Sequence, residues 1–189
     1  MAQTQQAPAV KPGITTWNID PAHSNAQFSV RHMMISNVRG EFTKVSGKAQ
    51  FDQHNPSAGF SVEAIIDVSA INTREPDRDK HLKSPDFFDA EKYPTITFNS
   101  TGAENGLDGL KLRGDLTIHG ITREVTLDVE GPTPPTKDPW GNTRIGASAT
   151  TKINRKDFGL SWNQALETGG ILVGEEIKIT IDVELVAQA

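Results

Sequence analysis

The feature that most constrains this chain is a period of two. Near the C-terminus Ile177, Ile179, Ile181, Val183 and Leu185 alternate with Glu176, Lys178, Thr180, Asp182 and Glu184, which gives an extended strand one dry and one wet face. Phe60, Val62, Ala64, Ile66 and Val68 repeat the pattern, as do Leu110, Leu112, Gly114, Leu116 and Ile118, and then Val125, Leu127 and Val129. Strands with a single dry face must stack as two sheets or curl into one closed sheet. The inward positions are also small: Ala26, Gly47, Ala49, Ala64, Gly114, Ala147 and Ala149 fall where a solid core would carry Leu, Ile or Phe. The pattern therefore predicts an interior that is partly hollow and apolar, a place for an apolar ligand.

Turn signals separate the alternating runs, among them His54-Asn55-Pro56, Asp108-Gly109, His119-Gly120, Trp140-Gly141-Asn142 and Gly169-Gly170. Strands are expected near 14–20, 24–33, 38–52, 58–68, 94–104, 109–119, 122–131, 143–154 and 174–186, an antiparallel meander of about eight strands. One stretch breaks the order. Pro76 followed by Asp77 and Asp79 makes a good first helical turn, with acids near the positive end of the dipole, and Pro85 stops it. A short helix is expected near 76–83, with Leu82, Phe87 and Phe88 closing one end of a barrel.

Bulk properties narrow the partners. At 189 residues the chain suits a single domain, and residues 14–189 are assigned to it. A net charge of -5 without a sustained Lys/Arg cluster argues against nucleic acid. No run approaches the apolar length that spans a bilayer. With no cysteine, disulfides, thiolate metal sites and thiol nucleophiles are removed together. Residues 1–13 are polar, contain prolines and read as a flexible tail, the appearance of an exported protein whose signal has been removed. Periplasmic or secreted placement is the expectation, with a cytoplasmic start as the alternative.

Candidate chemistry is sparse. The histidines include no close pair on one strand face, which counts against a metal site. Asp20-Pro21-Ala22-His23-Ser24 carries the residue types of a hydrolytic triad, but neighbours on a strand point to opposite faces, and the Gly-x-Ser-x-Gly elbow is absent. Asp157-Phe158-Gly159 lacks the companions of a kinase site and reads as a turn with a buried Phe. Arg74, Arg78 and Arg155 lie beside Asp77, Asp79 and Asp157, so ion pairing at the barrel ends is their expected role, with headgroup contact as the alternative for Arg78 and Arg155.

With these segments placed, the chain resembles the YceI-like family of bacterial lipid-binding proteins. The resemblance rests on Trp17-x-Ile19-Asp20 with His23-Ser24, Phe28-x-Val30-x-His32, Val38-x-Gly40-x-Phe42 and Ile71-x-Thr73. It continues through Arg78-Asp79-x-His81-Leu82-x-Ser84-x-Asp86-Phe87-Phe88-Asp89 and Tyr93-Pro94-x-Ile96-x-Phe98-x-Ser100. Leu112-x-Gly114-x-Leu116-Thr117-Ile118-x-Gly120, Asp138-x-x-Gly141, Arg155-x-Asp157-Phe158-Gly159 and Val173-Gly174-x-Glu176 complete it. The resemblance implies an all-β fold, an extended eight-stranded antiparallel β-barrel of lipocalin-like shape. It also implies a long isoprenoid or fatty-acyl chain in the pore, no enzymatic activity and a periplasmic or secreted setting.

The leading expectation is a carrier for a polyisoprenoid or related long-chain amphiphile, with that lipid as ligand and no other cofactor. The dry wall is assigned to Phe28, Val30, Phe42, Phe60, Val62 and Ile66, to Phe98, Leu116, Ile118, Leu127 and Ile179, and to Leu82, Phe87 and Phe88 at the closure. His23, Arg78, His81 and His119 are nominated as a headgroup cluster at the mouth, and His32 as an interior-facing side chain near a strand end. Two rivals stand beside this reading: a histidine-dependent metal or redox enzyme, and a structural β-domain whose small inward residues accommodate large neighbours. A homodimer formed through a barrel edge or flat apolar patch is left open.

Overall fold

A computed structural model describes residues 13–55, 59–107 and 109–188. The tail expected over residues 1–13 therefore lies outside the described residues, except for Gly13. Among the described residues there are twelve strands and one α-helix: β1 (Ile14–Ile19), β2 (Asn25–His32), β3 (Ser36–Phe42), β4 (Val45–Asp52), β5 (Ser61–Asp67), β6 (Ile71–Asn72), α1 (Pro76–Lys83), β7 (Thr95–Asn105), β8 (Leu110–Ile118), β9 (Ile121–Glu130), β10 (Thr136–Lys137), β11 (Thr143–Asn154) and β12 (Val173–Ala187).

Eight of them close a ring in the order β1-β4-β5-β7-β8-β9-β11-β12, and β12 returns to β1 through Trp17↔Ala187 and Ile19↔Leu185. β2, β3 and β6 lengthen the wall at one end, where β2 pairs with β12, β3 with β2, and β6 with β3. All these pairs are antiparallel, so the expected eight-stranded barrel with one short helix is the fold.

The extra strand names come from breaks in long strands, and the breaks have a local cause. Asp20 accepts the Ala22 N–H at 3.0 Å and Asp67 accepts the Ser69 N–H at 2.8 Å, each capping a one-turn 3-10 segment that bends the chain. The run expected as one strand over 38–52 is interrupted at Thr43 and Lys44, where Thr43 N–H bonds Ala70 O instead of continuing the ladder.

α1 covers the expected residues. The Glu75 side chain accepts the Asp77 N–H, Pro76 sits in the first turn, and Lys80, His81 and Lys83 lie in the last. Among the described residues no helix is long and apolar enough to cross a membrane.

Strand polarity sorts the connections onto two ends. The β2–β3 and β8–β9 turns, α1 and residues 155–172 lie at one, here called the helix end. The β4–β5 and β7–β8 connections, the β10–β11 hairpin and the start of β1 lie at the other. Buried apolar residues follow the same division only in part. One cluster, with Phe98, Leu112, Leu116, Leu127 and Phe158, backs the β7–β9 wall, and a second gathers around Trp17, Phe51, Ile145 and Leu185.

Candidate functional site

The inward faces enclose a cavity of about 250 Å³. Its lining runs from Ile19, Phe51 and Leu185 at one end to Leu82, Phe87 and Val173 at the other, and the exposed wall is apolar. From Val173 to Leu185 along a strand tilted as barrels require, the lumen extends about 30 Å. A modest volume spread over that length suits a thin chain and not a globular ligand.

All fourteen residues assigned to the dry wall line this cavity. Five alanines read as inward, Ala26, Ala49, Ala64, Ala147 and Ala149, line it too. The two inward glycines act differently. A Cβ on Gly114 would lie 2.4 Å from the Phe98 ring and 2.7 Å from Asn99 O, so this glycine lets an aromatic ring lie flat on the sheet. Gly47 has φ +141°, and a Cβ there would meet Glu63 O at 2.0 Å; it permits a backbone approach and opens no lumen space. Gly40 repeats the first device, since Phe28 packs over it at 2.4 Å from the position of its missing Cβ.

Aromatic rings close the helix end. Phe28 meets Phe42 at 5.7 Å between centroids, and Phe42 meets Phe88 edge-on at 5.7 Å. Phe87 and Trp162 pack at 5.2 Å with His81 against both. The loop beneath is organised by Arg155, which is only 3% exposed. Its guanidinium donates to Gly174 O at 2.8 Å, Trp162 O at 2.9 Å, Val173 O at 3.3 Å and Leu160 O. Burial pulls the Arg155 guanidinium below its ordinary value, with the Glu175 charge acting the other way.

At the opposite end Arg144 makes a different clamp. Nη1 lies 2.6 Å from Asp20 Oδ2 and 2.6 Å from Glu184 Oε1, and Nε lies 2.7 Å from Asp138 Oδ2. The three acids raise the Arg144 pKa, Asp138 most. In return Arg144, helped by His23, lowers Asp20 from 3.8 to about 2, and Asp138 falls further for the same leading reason. Asp20, His23 and Glu184 bring ligand-type atoms within 4.8 Å of one another, but the guanidinium already bonds both carboxylates.

The nominated headgroup cluster is not assembled. His23 lies at the Arg144 end, where Nδ1 is 2.9 Å from Asp20 Oδ2, because it follows the first half of a strand that reaches the helix end only at His32. Arg78, His81 and His119 all belong to the helix end but serve separate contacts. Arg78 donates to Thr73 Oγ1 at 2.8 Å and Thr73 O at 2.7 Å. His81 bonds Asp86 at 2.9 Å. His119 takes φ 53° in the tight β8–β9 turn and packs edge-on against Tyr93 at 4.8 Å. His32 sits half-buried opposite Val173 at the rim. None of these five side chains is part of the lumen wall.

The expected ion pairs of Arg78 and Arg155 with neighbouring aspartates are likewise replaced, by hydroxyl and carbonyl acceptors. Asp79 instead accepts the Thr73 N–H at 2.8 Å and the Thr73 hydroxyl. Ser24, read against a triad role, is buried and accepts the Glu184 N–H at 3.1 Å. Sequence reasoning missed the Arg144 network altogether. Its nearest sequence clue was the Asp138-x-x-Gly141 turn, whose aspartate accepts the Trp140 and Asn142 N–H groups at 3.0 and 2.9 Å.

Comparison with known proteins agrees with this architecture. Residues 17–185 match the YceI-like domain, and the chain belongs to that family. A UPF0312 protein of Staphylococcus aureus is 38% identical over 172 residues, covering 90% of this chain and 97% of the relative. The crystal structure of the Campylobacter jejuni YCEI protein is similar at a TM-score of 0.68 and 33% identity, over 84% of this chain and 90% of that one. A polyisoprenoid binding domain from Saccharophagus degradans, implicated in plant cell wall breakdown, reaches a TM-score of 0.66 at 14% identity over 92% of this chain and 99% of that chain. At that identity the last comparison speaks for a common fold.

Proposed function

We propose that this protein binds and carries a long-chain isoprenoid or a comparable fatty-acyl amphiphile inside the barrel, without catalysing a reaction on it, in the periplasm or outside the cell. The observation that carries the reading is the continuous apolar lumen, lined from one end of the barrel to the other. A structurally similar polyisoprenoid binding domain supports the same ligand class.

The energetics favour recognition of the tail. Each buried methylene contributes about 0.8 kcal/mol, so one five-carbon isoprene unit contributes about 4 kcal/mol gross before ordering costs. A single headgroup hydrogen bond contributes about 0.5–1.5 kcal/mol.

The test is lipid extraction and mass spectrometry of the purified protein, followed by titration with an isoprenol of fixed length. Wild type is expected to yield a co-purifying lipid and to bind the isoprenol. Ala149→Phe fills lumen volume and should abolish binding of the full-length chain while costing about 1–3 kcal/mol of stability through overpacking. His81→Ala should leave binding within about tenfold of wild type. A ligand-free wild type, or an Ala149→Phe variant that folds and binds as well as wild type, overturns the proposal.

A further inference from the structure

The β2–β3 hairpin runs against its own local chemistry. Ile35 N–H bonds His32 O at 3.1 Å, and the two central residues of the turn, Met33 and Met34, hold φ of 50° and 63°. A turn with two consecutive positive φ values is ordinarily made by Asn, Asp or Gly, and bulky side chains there are strained. The strain places apolar groups in water: Met33 is 41%, Met34 57% and Ile35 75% exposed. Isolated exposed apolar residues are ordinary, but here three consecutive ones project together from a single turn.

The wall below the tip carries positive charge. Val30 faces the lumen, so the alternate residue Arg31 faces out, and Arg39 does the same on β3. Arg31 opposes Asn37 and Arg39 opposes Ser29, which makes the two arginines diagonal neighbours. Neither makes an ion pair or a side-chain hydrogen bond among the described residues. The acids at the near end of β12 are engaged elsewhere, Glu175 by Lys156 and Glu176 by Lys152.

We infer that the Met33–Ile35 tip is a docking wedge for a bilayer containing anionic phospholipid, with the three apolar side chains entering the headgroup boundary and Arg31 and Arg39 meeting lipid phosphates. Such a surface pairs a small inserted apolar area with basic residues held near the membrane plane. A second copy is the poorer occupant, because a symmetric pairing of two tips would bring the arginines of one against those of the other. The net charge of -5 does not oppose the contact, since charges more than about 8 Å away are largely screened at physiological salt. The opposite end also exposes apolar side chains, Leu107 and Trp140, but they come from separate connections, β7–β8 and β10–β11, and do not form one consecutive apolar tip. The inference goes beyond the carrier reading, because the tip keeps its shape and charge whether or not the lumen is filled.

The experiment is co-sedimentation with large unilamellar vesicles of phosphatidylcholine alone and of phosphatidylcholine mixed with phosphatidylglycerol. Wild type should partition onto the phosphatidylglycerol vesicles and be released by salt. Ile35→Asp should weaken partitioning about tenfold, and Arg31→Gln with Arg39→Gln about fivefold per arginine. Met33→Asn with Met34→Gly suits the turn, so this variant should fold at least as stably as wild type and still lose partitioning. Trp140→Asp at the opposite end should change nothing.

Equal sedimentation with both vesicle types, or no loss in the tip variants, overturns docking. So does a wild-type dimer in sedimentation equilibrium that the tip variants convert to monomer, since a second copy would then be the occupant. Lipid content measured on the same preparations keeps the two proposals apart: an empty wild-type lumen sinks the carrier reading and leaves the vesicle result to decide docking.

Discussion

At one end of the barrel an arginine is held by carboxylates, and at the other by carbonyl oxygens. Arg144 binds Asp20, Asp138 and Glu184 with its side chain still 21% exposed, whereas Arg155 is almost wholly buried and donates only to backbone. Both fasten irregular chain to the rim, but the physics differs. The Arg144 clamp joins formal charges near water and is exposed to screening and to protonation of its acids. The Arg155 clamp satisfies backbone carbonyls, sharing only Val173 O with the Asn163 amide, so its worth depends on burial and hardly on pH.

The ladders differ in parallel. β11 and β12 pair without interruption from Arg144↔Val186 to Asn154↔Glu176, while β9 and β11 pair only at Ser148↔Glu130, Ala149↔Val129 and Thr150↔Asp128. Toward the helix end that seam is carried by a Thr151 hydroxyl bond to Thr126 O at 2.8 Å and by the Arg155–Phe158 turn packed beside it. At this one seam the helix end therefore rests on side chains and loops in place of continuous strand pairing.

The largest expected effect follows from removing the buried clamp. Arg155→Met leaves the carbonyls of Gly174, Leu160 and Trp162 short of a donor, while Val173 O keeps the Asn163 amide. Bonds to a charged donor contribute about 1.5–3 kcal/mol each, part of which is returned because a guanidinium is no longer buried. A net loss of about 3–5 kcal/mol is expected, or about 6–20 °C in Tm, read by thermal unfolding at neutral pH. A loss no larger than that of Arg144→Met under the same conditions would erase the distinction between the ends.

A smaller effect tests the anchoring of α1. Thr73 is 3% exposed, accepts from Arg78 Nε and donates to Asp79. Thr73→Val keeps the shape and strips the hydroxyl, so Arg78 and Asp79 each lose a partner. A loss of about 1–3 kcal/mol is expected in urea unfolding, together with faster amide exchange in α1. Unchanged exchange there would show that the aromatic closure, and not the Thr73 network, holds the helix.

The lumen was legible in the sequence and the clamps were not, for a physical reason. Strand alternation is a local property, so Phe28, Phe60, Leu116 and Ile179 could be assigned to the wall from spacing alone. The helix was legible because its cap, proline and acids are adjacent in sequence. Arg144 meets Asp20 across a sequence separation of 124 and Glu184 across 40, and no local pattern encodes such a meeting. Arg155 was misread because a charged residue beside an aspartate suggests a surface ion pair, and buried arginines are rare. His23 was misplaced because being near a strand end does not say which end. Gly114 was read as a sign of empty space, but its role depends on where the Phe98 ring lies.

The smallest expected effect, and the one specific to the Arg144 end, is acid sensitivity. Asp20 titrates at about 2 when folded against about 3.9 in an unfolded chain, and Asp138 is lowered in the same direction. A carboxyl group whose folded pKa is depressed contributes stability that is fully present above the unfolded value and is lost as pH falls through the folded one. The stability of wild type should therefore decline between about pH 4 and pH 2. Arg144→Met removes the first cause of both shifts, so its stability should be lower than wild type at pH 6 and the gap should narrow on acidification. The decline will not vanish, because Lys156 lowers Glu175 at the helix end and Ser69 lowers Asp67 in the wall. Urea unfolding of both proteins at several pH values measures the gap directly. If it stays constant from pH 6 to pH 2.5, Arg144 acts by packing its side chain and the electrostatic contrast between the two ends is lost.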